Sequence, residues 1–364
     1  MSIRLAINGF GRIGRQAYKI ASTNPKLEVV AVNDLASPRL LAHLLKYDTV
    51  YGIENSGIAL EEDGKTTNIE GATSTNAHFY ESPNTLPKET YLVVNGEKTL
   101  MVSQKDPALL PWKALAIDVV LECTGRYTKD GAAAVHIAAG ARKVVVSAPV
   151  SGNGGIQTFL LGVNDTAYLG QNVVSNASCT TNCIAPVTKV INDNFKILKS
   201  TMTTIHALTA EQNLVDGAPP GLHADLRRAR AGGFNMIPTT TGAAKAVGEV
   251  IPEMKGVFDG LAIRVPIITG SLSDLTLLVA KKTTAEEVNK AFLLAEKDPA
   301  YKGVLQTTTE PIVSSDIIQN PHSAIVDLSL TKVIDGDLVK VIAWYDNEWG
   351  YANRLVELAL AIGS

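Results

Sequence analysis

Through its first half the chain alternates short apolar runs with segments in which apolar residues recur three and four positions apart. Residues 3–8, IRLAIN, form an apolar run of the kind a strand buried on both faces shows. Ile13, Ala17, Ile20 and Ala21 then keep helical spacing. Leu27 to Val32, Asp118 to Cys123 and Lys143 to Ser147 repeat the strand pattern. Ala132 to Ala139, with Gly140 behind it, reads as a helix and its C-cap. Strands alternating with helices predict an α/β, doubly wound sheet. Residues 58–103 interrupt it with two hairpin signals, Asp63-Gly64 and Asn95-Gly96, and read as an antiparallel insertion.

The rhythm changes after residue 190. Ser200 to Leu208, Leu261 to Pro266, Ser271 to Ala280, Ile325 to Leu330 and Leu338 to Trp344 are strand-like, with an Asp335-Gly336 turn before the last. They predict a second, mainly antiparallel domain. Thr284-Ala285-Glu286-Glu287 is a capping box opening a helix to Glu296. Asn347 to Ile362 predicts a last helix. Glu211 to Gly233 is long and irregular, and such segments inside compact proteins usually serve function.

The stretch between the halves carries the most chemistry. NVVSNA, residues 172–177, predicts a strand, and Ile184, Val187, Val190 and Ile191 a helix after it. Asn176 and Ser178 are both good N-caps, so Cys179 falls in the first turn. There the free N–H groups and helix dipole favour a thiolate. The alternatives are a small buried hydrophobe, or a redox pair with Cys183. Of six histidines, His206 ends a β-rich run and suits a Cys–His nucleophile pair. His43, His78, His136, His223 and His322 sit in helical or loop contexts.

Gly9-Phe10-Gly11-Arg12-Ile13-Gly14 lies between the first strand and helix, and Asp34 follows twenty residues beyond Gly14. This context turns a common glycine pattern into a dinucleotide fingerprint. The glycines admit a pyrophosphate, and Asp34 accepts from a ribose hydroxyl while repelling a 2′-phosphate. Thr124, Gly125 and Ser147 stand at carboxyl ends of strands, where such sheets bind ligands; Cys123 reads as strand core. In the second half, Thr239-Thr240-Thr241-Gly242 precedes a helical stretch and suits phosphate. Arg228 and the strand-embedded Arg264 are candidate anion clamps.

Composition narrows the classes. The chain has 364 residues, 46% hydrophobic and 19% charged, with a net charge of −3. That predicts two domains and argues against a nucleic-acid or membrane-surface footprint. Three cysteines, none at zinc-ligand spacing, point to free thiols in a reducing compartment and no metal site. Without a signal-like start or a membrane-length apolar run, a cytoplasmic protein is expected.

With these motifs in place, the chain closely resembles phosphorylating glyceraldehyde-3-phosphate dehydrogenases. The likeness runs from INGFGRIGR through AVNDL, LKYD, LPW, ECTG, SAP, SNASCTTNC, TTIHALT, LRRAR, IPTTTGAAKAV and RVP to WYDNEWGY. It implies a Rossmann domain of residues 1–178 and 344–364, closed by the C-terminal helix, an α+β catalytic domain of residues 179–343, and a homotetramer. It implies Cys179 as nucleophile and His206 as base, with NAD as cofactor. Arg12 and Ile13 would hold the pyrophosphate, Asp34 the adenosine ribose and Asn347 the nicotinamide carboxamide, with Ser147 lining the site. Thr209 and Arg264 would bind the phosphate of glyceraldehyde 3-phosphate. Ser178, Thr180, Arg228, Thr241 and Gly242 would bind the attacking inorganic phosphate.

Three departures stand out. The loop after Asp216, Gly217 to Ala224, is longer than is common in the family, where it bears on the choice of NAD or NADP. Leu208 replaces a frequent aromatic, and Ser151 to Gly155 is a loop variant. The rival enzyme reading is erythrose-4-phosphate dehydrogenase, which typically lacks a threonine at the Thr209 position and an intact TTTG. A non-catalytic nucleotide-binding scaffold would be expected to lose Cys179, His206 or the clamps.

Overall fold

The computed structural model describes residues 2–69, 89–218 and 225–364. His78, His223 and most of the long 217–224 loop lie outside them. The described chain forms two compact units. The first comprises residues up to Gln157, Gly170–Ser175 and Leu355–Ser364; the second comprises Thr158–Leu169 and Asn176–Arg354.

The first unit is built on parallel strands in the order Val173–Ser175, Lys143–Val146, Val119–Glu122, Ile3–Asn8, Leu27–Asn33 and Glu97–Val102. Beyond the last, the two hairpins extend the same sheet antiparallel through Thr90–Val94, Ile58–Glu62 and Lys65–Asn68. Asp63 and Asn95 take φ of 48° and 52°, each before a positive-φ glycine, as a tight hairpin requires. The central strands are apolar throughout because both faces are covered: Leu5, Ile7, Val119, Val120, Leu121, Val144 and Val145 are fully buried. The helical stretch before Gly140 is a 3-10 turn, Ala132–Ala134, running into a short helix, Val135–Ala138. Gly140 follows at φ +104°, where a side chain would collide with Lys113.

The second unit is a mainly antiparallel sheet in the order Ile237–Thr240, Phe258–Arg264, Ile197–His206, Ser271–Val279, Leu338–Tyr345, Ala324–Asp327 and Leu305–Thr308. Two pairings in it are parallel, that of Ile197–His206 with Phe258–Arg264 and that of Ala324–Asp327 with Leu305–Thr308. The helix Cys179–Phe195 covers it and buries Cys183, Ile184, Val187, Val190 and Ile191 in the core. Pro186 lies inside that helix. The helix Ala285–Ala295 opens on the expected capping box of Thr284 and Glu287. Among the described residues no helix is long and apolar enough to cross a membrane.

Candidate active site

In the first unit the three glycines do three different things. Gly9 has φ +95°, and a Cβ there would stand 2.9 Å from Thr124 N at the end of a neighbouring strand. A Cβ on Gly14 would stand 2.1 Å from the Gly9 carbonyl, so only glycine lets helix and strand pack this closely. Gly11 faces open space, with no atom within 4 Å of its would-be Cβ. It precedes the helix Arg12–Ser22, whose start has no side-chain cap from Gly11. An uncapped helix start with room before it fits a pyrophosphate.

Asp34 lies just beyond the strand Leu27–Asn33 and lines a cleft of about 280 Å³ with Gly9, Gly11, Cys123, Thr124 and Tyr127. Its carboxylate accepts from Phe10 N (2.7 Å) and Ala36 N (3.0 Å). Each oxygen keeps a second lone pair, so the aimed carboxylate still suits a ribose. Thr124 and Gly125 follow the strand Val119–Glu122, and Ser147 follows Lys143–Val146.

The Arg12 guanidinium is engaged within the unit: Nη1 donates to Asp48 Oδ2 at 2.6 Å, and the group lies 5.6 Å from the Tyr51 ring centroid. What Arg12 and Ile13 offer an anion is the helix start itself. One expectation needs correction: Cys123 is not strand core. The strand ends at Glu122, and Cys123 lines the cleft.

In the second unit, register assembles the chemistry. His206 and Arg264 end adjacent parallel strands and are direct partners. Ser178 is the N-cap, its Oγ accepting from Thr181 N at 3.1 Å, so Cys179 is the first helical residue. Ala177 before it takes φ +51°, costly for a non-glycine residue, and its carbonyl is held by Tyr351 OH at 2.8 Å. Asn182 Nδ2 donates to the Asn176 and Ser178 carbonyls at 2.8 and 3.0 Å and ties the turn from within.

The result places Cys179 Sγ 3.4 Å from His206 Nε2. His206 Nδ1 lies 2.7 Å from the Ala207 carbonyl. A carbonyl only accepts, so that contact calls for the proton on Nδ1 and the Nε2 lone pair toward the sulfur; Arg264 Nη1, a donor, lies 3.0 Å from the same Nδ1 and favours the other tautomer, and the shorter contact assigns the ring. Burial, then the Arg264 charge, hold the imidazole down to about 3, so it is neutral at ordinary pH. The expected thiolate meets an opposing effect. Burial pushes the Cys179 thiol up, outweighing the Arg264 charge and the Thr180 hydrogen bonds that pull it down. The resting pair is therefore a neutral thiol against a neutral base, and ionisation belongs to the reaction step.

Arg264 Nη1 donates to the Ala207 carbonyl (3.0 Å) and to Thr209 Oγ1 (3.2 Å). Arg228, also buried, donates to Thr239 Oγ1 (3.0 Å) and the Thr240 carbonyl (3.2 Å). Glu211, which the sequence reading did not single out, pairs with Arg228 and lies 3.6 Å from Arg264 Nη2. Two buried guanidiniums converging on one carboxylate make an anion site whose resident counter-ion is Glu211. Its only sequence signal is an acid two residues past Thr209. Thr241 Oγ1 accepts from Ala243 N at 3.2 Å, and Gly242 opens the helix Ala243–Val250. Thr180 Oγ1 lies 3.0 Å from Tyr345 OH, itself 2.8 Å from Thr204 Oγ1, a brace the sequence reading also missed. Asn347 is buried, and its Oδ1 accepts from Gly270 N (3.1 Å) and Ser271 Oγ (2.8 Å), which leaves its NH₂ as the donating edge.

Comparison with known proteins agrees. Residues 178–347 match the model of the glyceraldehyde 3-phosphate dehydrogenase C-terminal domain, and residues 3–87 and 73–130 match its NAD binding domain. The chain belongs to the glyceraldehyde 3-phosphate dehydrogenase family. It is 48% identical to the glyceraldehyde-3-phosphate dehydrogenase of Mycolicibacterium smegmatis, over 100% of this chain and 99% of that one. The Mycobacterium bovis and Streptomyces coelicolor proteins of the same name are 46% and 45% identical, again over 100% of this chain and 99% of theirs. Membership makes the chain an NAD-dependent oxidoreductase with a Rossmann-type first domain.

Proposed function

We propose that the chain oxidises D-glyceraldehyde 3-phosphate to 1,3-bisphosphoglycerate with NAD and inorganic phosphate, through an acyl group carried on Cys179. The observation that carries the residue roles is the 3.4 Å approach of Sγ to a neutral imidazole beside two buried guanidiniums. NAD, when bound, supplies the hydride acceptor. Among the chain's own residues, His206 Nε2 takes the thiol proton as Sγ adds to the aldehyde carbon, and returns it to the new hydroxyl of the thiohemiacetal. The same nitrogen removes that hydroxyl proton as the carbon is oxidised, leaving a thioester on Cys179. Arg264 and Thr209 hold the substrate phosphate. Ser178, Thr180, Arg228, Thr241 and Gly242 hold the phosphate that cleaves the thioester. Gly9, Gly11, Gly14, Asp34, Thr124, Gly125 and Ser147 bind the dinucleotide, with Arg12 and Ile13 contributing the helix start and Asn347 an amide.

Asp34 is followed by Leu35, which offers no partner to a 2′-phosphate, so the cofactor is NAD rather than NADP. Kinetics with both cofactors, with and without phosphate, test this. NAD should exceed NADP in kcat/KM by about tenfold or more, the worth of one charged contact, and turnover should need phosphate. Comparable values for the two cofactors would overturn the preference. Phosphate-independent turnover would favour the erythrose-4-phosphate reading.

The working form is a homotetramer in the cytoplasm. Leu214, Val215, Leu226, Phe234 and Met236 are largely exposed on one irregular segment of the second unit, an apolar surface in want of a cover. Light scattering at assay concentration should give four chains per particle; a monodisperse monomer would refute this.

A further inference from the structure

Glu211 sits in the anion site of the second unit, yet neither guanidinium needs it for its position. Arg264 Nη1 is held by the Ala207 carbonyl at 3.0 Å and Thr209 Oγ1 at 3.2 Å. Arg228 is held by Thr239 Oγ1 at 3.0 Å and the Thr240 carbonyl at 3.2 Å. The Thr239 hydroxyl spends its own hydrogen on Asp225 Oδ2 at 2.8 Å, which fixes it as the acceptor for Arg228 Nε. Both forks are thus aimed by groups of the scaffold. Glu211 supplies charge to the site rather than geometry.

The carboxylate also fits its place loosely. It hydrogen-bonds Arg228 Nη1 but stands 3.6 Å from Arg264 Nη2, an ion pair too long for a hydrogen bond. Arg264 Nε is buried and has no hydrogen-bond partner among the described residues. A buried guanidinium nitrogen left unpaired beside a carboxylate that does not reach it marks donors set for a larger anion. The charge points the same way. Two guanidiniums against one carboxylate leave one positive charge over, and a phosphate dianion would balance both. Burial, then the Arg228 charge, pull Arg264 down against the opposing pull of Glu211.

The three side chains differ in freedom. Those of Arg228 and Arg264 are 7% and 10% exposed, that of Glu211 35%. Among the described residues the two guanidiniums are the only partners of the Glu211 carboxylate. The segment around it has backbone ties of its own: Gln212 N to the Thr209 carbonyl, Gly232 N to the Asn213 carbonyl and Gly217 N to the Ala229 carbonyl. The carboxylate can therefore turn out to water without undoing them, while the guanidiniums stay.

We propose that Glu211 is a displaceable placeholder, which holds the two guanidiniums between turnovers and swings out to solvent as a phosphate dianion takes its place. The proposal rests on the reading of Arg228 and Arg264 as phosphate clamps. Carboxylate and dianion do not share the site, because three negative charges at contact distance from two positive ones repel each other. Phosphate thus binds against the loss of the Glu211 pairs, and Glu211 sets a ceiling on its affinity.

Calorimetric titration of the whole chain with inorganic phosphate compares the wild type with Glu211→Gln, which keeps the size and removes the charge. The variant should bind phosphate about tenfold more tightly. A residue that merely positioned the guanidiniums would have the opposite effect, so equal or weaker binding in a folded variant overturns the proposal. The wild type supplies a second arm, which decides alone should the variant not fold. In its crystals soaked in phosphate, an anion on Arg228 or Arg264 should come with Glu211 turned to solvent. Phosphate bound there with Glu211 still paired to Arg228 overturns the proposal. No phosphate binding by either protein would instead break the clamp reading, and the proposal with it.

Discussion

Cys179→Ser should abolish aldehyde oxidation while leaving NAD binding unchanged. Serine keeps the N-terminal turn of the helix Cys179–Phe195, because Ser178 and not residue 179 is its cap. It removes the one atom His206 can readily turn into a nucleophile. Burial already pushes the thiol up, and a hydroxyl starts many units higher. A neutral imidazole held down to about 3 is too weak a base to ionise it. A loss of about 10⁴-fold or more in kcat is expected. The cofactor residues of the first unit are untouched, so the dissociation constant for NAD should hold. Appreciable turnover in the purified variant would remove Cys179 from the role of nucleophile.

His206→Asn should lower kcat by about 10²- to 10⁴-fold, the usual worth of a positioned base. The amide can replace part of the ring's contact with the Ala207 carbonyl but takes no proton from sulfur. Alkylation of Cys179 should slow in step. The variant should also flatten part of the acid stability profile. A histidine of folded value about 3 and unfolded value near 6.5 takes up a proton on unfolding, so wild-type stability is full above pH 6.5 and falls as the pH drops toward 3. That loss should be smaller without His206. Unchanged alkylation rates and an unchanged stability slope would together argue that His206 neither faces the sulfur nor sits buried and neutral.

The parts legible in the sequence were those written in local chemistry. Ser178 and Cys179, the capping box of Thr284 and Glu287, the Asp63-Gly64 and Asn95-Gly96 turns and the glycine fingerprint all depend on residues a few positions apart. What escaped was set by partners far along the chain. The guanidinium of Arg12 is claimed by Asp48, and Glu122 meets Trp112 only through His136. Glu211 enters the site because the irregular segment folds back onto Arg228 and Arg264. Strand limits moved for the same reason. The strand ending at His206 begins at Ile197, not near Ser200, because Ile197 pairs with Val279. The thiolate expectation used the helix start, which is visible in sequence, and missed burial, which is not.

The most direct measurement is to mix the enzyme with NAD and glyceraldehyde 3-phosphate without inorganic phosphate, quench in acid within milliseconds, and map the covalent adduct by mass spectrometry. A 3-phosphoglyceroyl thioester on Cys179, formed in step with a burst of NADH and discharged when phosphate is added, is the predicted result. A burst without an adduct, or an adduct on Cys123 or Cys183 instead, would contradict it.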